Sequence, residues 1–108
     1  MEVSINRGSE SLEVEVRGGI DSFQEISELK NRLHTHARIH PEIPMEIYFL
    51  DAYVIPSSVI GTILELIEIE KIEVRVKVAK EELYETLQKL MLQEILHLQK
   101  FTPSRNFT

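Results

Sequence analysis

The sequence predicts an α/β fold in two layers, a mostly parallel sheet of about five strands with its helices on one face. Three observations carry that prediction. Runs with strand period alternate with runs of helical period in the order β-β-α-β-α-β-α-β, which after an opening hairpin requires parallel strands joined by helical crossovers. The second and fourth strands each give one whole face to charge, and the third places Glu46 there, whereas a sheet covered on both sides is apolar on both. Right-handed crossovers keep all helices on one side only when successive strands step the same way across the sheet. The expected result is a one-sided β-α superhelix.

Residues 2–5 and 12–17 are the opening strands, joined by the polar turn Asn6-Arg7-Gly8-Ser9-Glu10. In the second, Leu12, Val14 and Val16 alternate with Glu13, Glu15 and Arg17, the pattern of a half-buried strand. Gly18-Gly19-Ile20-Asp21 breaks it. Ser22 with Glu25 forms a capping box, opening a helix whose apolar face is expected to carry Phe23, Ile26, Leu29 and Leu33. Pro41 and Pro44 end it between His36 and Ile39. The apolar run 45–50 is a central strand, and 52–56 a loop. Ser57 or Ser58 is placed to N-cap a second helix with Ile60, Ile63, Leu64 and Ile67 as its buried stripe. Ile72, Val74, Val76 and Val78 alternate with Glu73, Arg75 and Lys77 in a fourth strand. Residues 80–92 are helical, with Leu83, Leu87 and Leu90 on one face, and 95–98 are a short last strand.

At 108 residues the chain has the size of one domain, expected over 1–101 with a tail at 102–108. Its 43% hydrophobic and 28% charged residues are a globular composition. It holds no cysteine, which excludes disulfides, thiolate metal sites and cysteine nucleophiles. Eighteen acidic against twelve basic residues give a net charge of −6, and the scattered Lys and Arg make no cationic footprint for nucleic acid. No apolar run is long enough for a membrane span, and the N-terminus lacks a signal-peptide pattern, so a cytoplasmic protein is expected.

In a parallel sheet, function gathers at the carboxyl ends of the strands. Asp21 and Asp51 end neighbouring strands there, and Pro56-Ser57-Ser58 opens the second helix at the same edge. A hydroxyl at a helix start lies among unpaired backbone N–H groups at the positive end of a dipole, a setting that favours an added phosphate. The plainer reading of the same residues is a turn capped by Asp21 and a helix capped by Ser57 or Ser58. Residues 52–55, Ala-Tyr-Val-Ile, either plug the end of the core or form an exposed recognition patch.

The stretch 48–64, YFLDAYVIPSSVIGTIL, resembles the signature of STAS domains, the anti-sigma factor antagonists: an apolar strand ending in Asp, a short loop, then Asp-Ser-Ser/Thr-Gly-Leu-Gly opening a helix. Gly18-Gly19-Ile20-Asp21 resembles the family's Gly-x-Leu-Asp, and the likeness spans roughly residues 2–101. Pro56 stands where the motif has Asp, Val59 stands at its first Gly, and Gly61 keeps the second, where close packing is expected. The resemblance implies a one-sided β-α fold and a regulatory binding module. Its partner would be a serine-kinase anti-sigma factor that phosphorylates the second hydroxyl of the motif, here Ser58, with Ser57 beside it. Docking would use Asp21, Asp51, Tyr53, Val54, Ile55, Pro56, Val59 and Thr62. A non-switching STAS subunit of a transport or signalling assembly is the variant that Pro56 and Val59 suggest.

Other chemistry is weakly signalled. An enzyme or small-ligand binder would use Asp21, Asp51 and Ser58, but the chain lacks a second domain to enclose a pocket, and no enzyme activity is expected. Gly18-Gly19 has no phosphate-loop spacing, so no cofactor is expected. His34, His36 and His40 lie close in sequence without completing carboxylates and fit a solvated helix end, and His97 stands alone. Glu65, Glu68 and Glu70 make the second helix a solvated face or the counterpart of a basic partner. The charged sheet face, expected to expose Glu13, Glu15, Glu46, Glu73, Arg75 and Lys77, is where a second copy could pack.

Overall fold

The computed structural model describes residues 1–103. Its order is β1 (Glu2–Arg7), β2 (Leu12–Arg17), α1 (Phe23–Ile39), β3 (Met45–Phe49), α2 (Ser57–Glu68), β4 (Val74–Val78), α3 (Glu81–Lys89) and β5 (Gln99–Lys100). The sheet runs β1-β2-β3-β4-β5 in space, so every step goes the same way. β1 pairs antiparallel with β2, and the remaining neighbours are parallel.

Register explains the layers. Val14 lies beside Ile47, and Ile47 beside Val76, so the apolar alternations of β2, β3 and β4 fall on one face. That face is fully buried, and it joins Leu29, Leu33 and Ala37 of α1, Ile63 and Leu66 of α2, and Leu83 and Leu87 of α3 in one core. Each of the larger aliphatic side chains contributes about 1.5–3 kcal/mol through burial, which outweighs any helix propensity here.

The opposite face is a network of partly shielded charges. The Glu46 carboxylate accepts from Arg75 Nη1 at 3.1 Å and from the Tyr48 hydroxyl at 3.1 Å, and Lys77 Nζ lies 3.3 Å away. Burial alone would raise the Glu46 carboxyl, but Lys77, Arg75 and Tyr48 together hold it below the ordinary carboxylate range. Of the six charges expected to be exposed only Glu73 is so outright, and Glu13, Glu15, Glu46, Arg75 and Lys77 are half-buried. Phe101 crosses this face with its ring 5.3 Å from that of Tyr48, edge to face.

The capping box forms as expected. The Glu25 N–H donates to Ser22 Oγ, and the Glu25 carboxylate accepts from the backbone of Ser22 and Asp21. Several details differ. β1 extends through Asn6 and Arg7, which leaves a tighter turn closed by the Gly8 N–H on Ser11 O. Phe23 is 82% exposed because it opens the helix, ahead of the turn that reaches the sheet. In α2 the fully buried residues are Val59, Thr62, Ile63 and Leu66, with Ile60, Leu64 and Ile67 on the flanks. α3 stops at Lys89, so Leu90 lies beyond it and is exposed. Residues 93–97 are turns, and the last strand is Gln99–Lys100 rather than 95–98. Of the expected tail, residues 104–108 lie outside the described residues. Among the described residues no helix is long and apolar enough to cross a membrane.

Candidate functional site

Three loops meet at the carboxyl edge of the sheet. The chain leaves β2 through Gly18, whose φ of +79° is a left-handed conformation that glycine adopts without strain. That turn aims the Gly18 N–H at β3's exit, where it donates to Asp51 Oδ2 at 2.7 Å. Asp51 therefore ties the end of β2 to the end of β3, a structural role beside any functional one. Asp21 folds back over Gly19, where a Cβ would meet its carboxylate at 3.0 Å. Asp21 and Asp51 together line an open cleft of about 350 Å³ with Gly19, Ile20, Ala52, Tyr53, Val54 and Pro56.

The loop 52–55 divides its labour by alternation of depth. Ala52 and Ile55 plug the end of the core, while Tyr53 and Val54 face outward at 54% and 72% exposure. The plug expected of this loop is thus made by Ala52 and Ile55, and the exposed positions are Tyr53 and Val54. Lys80 Nζ lies 5.1 Å from the centre of the Tyr53 ring, a cation–π contact that links the loop to the start of α3.

Pro56, not either serine, is the N-cap of α2, and no side chain caps the helix. The Pro56 carbonyl accepts from the N–H groups of Val59 and Ile60, and Ser57 and Ser58 occupy the first turn. Both serines are exposed, and among the described residues neither hydroxyl has a hydrogen-bond partner. The capping role expected for them is thus corrected: proline's fixed φ starts the helix and leaves both hydroxyls free.

Three of the residues expected to touch a partner are inside the chain. Val59 is 0% exposed, Thr62 1% and Ile55 6%, so they position the helix and loop rather than present a contact. Val59 consequently does not crowd the Ser58 hydroxyl from outside. Gly61 also differs from expectation, since a Cβ built there meets nothing within 4 Å. Ser58 does not line the cleft that holds Asp21 and Asp51, so the three groups do not form one enclosed pocket. Lys80, through its contact with the Tyr53 ring, is the one residue at this edge that the sequence does not single out.

The histidines lie elsewhere. His34 Nδ1 of α1 is buried 3.3 Å from the Glu70 carboxylate just past α2, and among the described residues it makes no hydrogen bond. Burial, with Arg32 and His40 nearby, holds His36 below the usual histidine range.

Compared with known proteins, the chain matches no family model and no curated protein at a significant level.

Proposed function

We propose that the chain is a STAS-type regulatory module that docks a protein partner through the loop 52–58 and the first turn of α2, with Ser58 as the phosphorylatable switch. The observation that carries this reading is the Ser58 hydroxyl: exposed, unbonded, in the first turn of a helix that no side chain caps. The unpaired N–H groups and dipole of that turn tolerate an added phosphate. Tyr53 and Val54, in the loop that leads into the helix, supply exposed apolar contact area.

A phosphate adds roughly −1.5 to −2 charges at pH 7. Asp21 and Asp51 occupy the same edge, so the modified surface would repel an acidic partner face and resist desolvation by an apolar one. Folding would be little altered because the helix start accepts negative charge. The resemblance makes a serine-kinase anti-sigma factor the proposed partner, in a cytoplasmic setting.

The test is a pull-down from native lysate with wild type and Ser58→Asp side by side. A partner retained by wild type and depleted on Ser58→Asp supports the switch; equal retention places the contact away from Ser58.

A further inference from the structure

We propose that the outer face of α2, from Gly61 to Ile69, is a docking groove for a basic amphipathic helix of a partner protein. α2 carries two stripes. One, through Val59, Thr62, Ile63 and Leu66, is buried in the core. The other, formed by Gly61, Leu64, Glu65, Glu68 and Ile69, lines a shallow groove of about 290 Å³ on the outside. These five positions follow the i, i+3, i+4, i+7, i+8 spacing of a single helix face, the geometry by which one helix receives another.

Gly61 is the second, independent mark. A Cβ there would meet nothing within 4 Å, and the backbone shows no left-handed φ, so nothing among the described residues calls for glycine. A glycine within a helix is destabilising relative to alanine. What it permits is close approach from outside, where a partner's backbone can occupy the space a side chain would fill. One helical turn on, Leu64 is half-buried, and Ile69 closes the groove at 73% exposure.

Charge decides the occupant. Glu65 and Glu68 are both exposed on the groove, and among the described residues neither has an ion-pair partner. Carboxylates three residues apart on a helix repel one another until cations approach. A second copy of the chain would bring the same two carboxylates against their equivalents, and each copy carries a net charge of −6. An anionic lipid surface or nucleic acid meets the same repulsion. A helix with a small or aliphatic ridge flanked by Lys or Arg satisfies both the notch and the carboxylates. This claim does not rest on the Ser58 reading, and its test leaves Ser58 unchanged, so the two fail separately.

The probes are two labelled synthetic helices of roughly 18 residues, long enough to hold helical structure, sharing one Leu/Ala ridge and flanked in one by Lys and in the other by Glu. They are titrated against the full chain by fluorescence anisotropy. The Lys-flanked helix is expected to bind about tenfold or more tightly than the Glu-flanked one, and to weaken as salt rises. Gly61→Leu should weaken it by about tenfold by filling the notch, with an unchanged circular dichroism spectrum, and Glu65→Lys with Glu68→Lys should reverse the preference between the peptides. Equal binding of both peptides overturns the proposal, as does Lys-peptide binding that Gly61→Leu leaves intact. A dimer in the ultracentrifuge that Gly61→Leu dissociates would make a second copy the occupant, and overturns it too.

Discussion

Asp51 shows how one carboxylate can hold the carboxyl edge of the sheet together. Its 2.7 Å bond from the Gly18 N–H is charge-assisted but solvent-accessible. Asp51→Ala should therefore cost about 1 kcal/mol, toward the low end for such bonds, and a urea titration with amide exchange at Gly18 checks it. An unchanged midpoint would mean that the turn holds itself. Asp51 was legible as the end of an apolar run bounded by a loop, but its partner was not, because the bond joins residues 33 apart in sequence. Phe23 shows the complementary limit. It continues the apolar spacing of Ile26, Leu29 and Leu33, yet at the first helical position it overhangs the sheet and is exposed. Periodicity assigns a residue to a face; it does not say how far along the helix that face stays covered.

Among the elements, α1 and α2 differ in how firmly sequence sets them. The Ser22–Glu25 capping box and two prolines bracket α1, and it starts where they place it. α2 has Val59, Ile60, Ile63, Leu64, Leu66, Ile67 and Ile69 around nearly its whole circumference, so hydrophobic spacing leaves its rotational phase open. Only the sheet contacts select Val59, Thr62 and Leu66 for the interior over Ile60, Leu64 and Ile67. The same packing turns Gly61 outward. Gly61→Ala should then stabilise the chain by about 0.5–1 kcal/mol, as for a helix position with room for the methyl, and the midpoint of chemical denaturation reads it. A loss of stability would instead mean that the methyl is crowded. The last strand lies later than the apolar spacing places it for a related reason: Leu96 and Leu98 are buried at the turns of 93–97 and just after, and burial alone mimics a strand.

For the whole molecule, the order of strands and the one-sided placement of apolar residues were legible because alternation and the right-handed crossover rule act together. The charged face was foreseen as open, but its cross-strand pairing depends on register. Glu46 lies beside Arg75, and Lys77 reaches the same carboxylate from the neighbouring position of β4. Since pairing lowers the Glu46 carboxyl in the folded state, its contribution is complete above the ordinary carboxylate range and fades as pH falls through the lowered value. Glu46→Gln should cost about 1–2 kcal/mol near neutrality, and the gap to wild type should close on acidification. Stability measured from pH 7 downward checks this, and a gap independent of pH would contradict it. The exposed serine sits on this scaffold at the start of α2. A carboxylate in the first turn of α2 is favourable by up to about 1 kcal/mol, yet the same charge at a docking surface must be desolvated or repelled. The most direct measurement is a calorimetric titration of the recovered partner against wild type, Ser58→Asp and Ser58→Ala, with a thermal melt of each. Affinity should fall for Ser58→Asp alone while neither variant melts appreciably below wild type; equal affinities for the two variants would contradict the switch and leave the chain a scaffold without one.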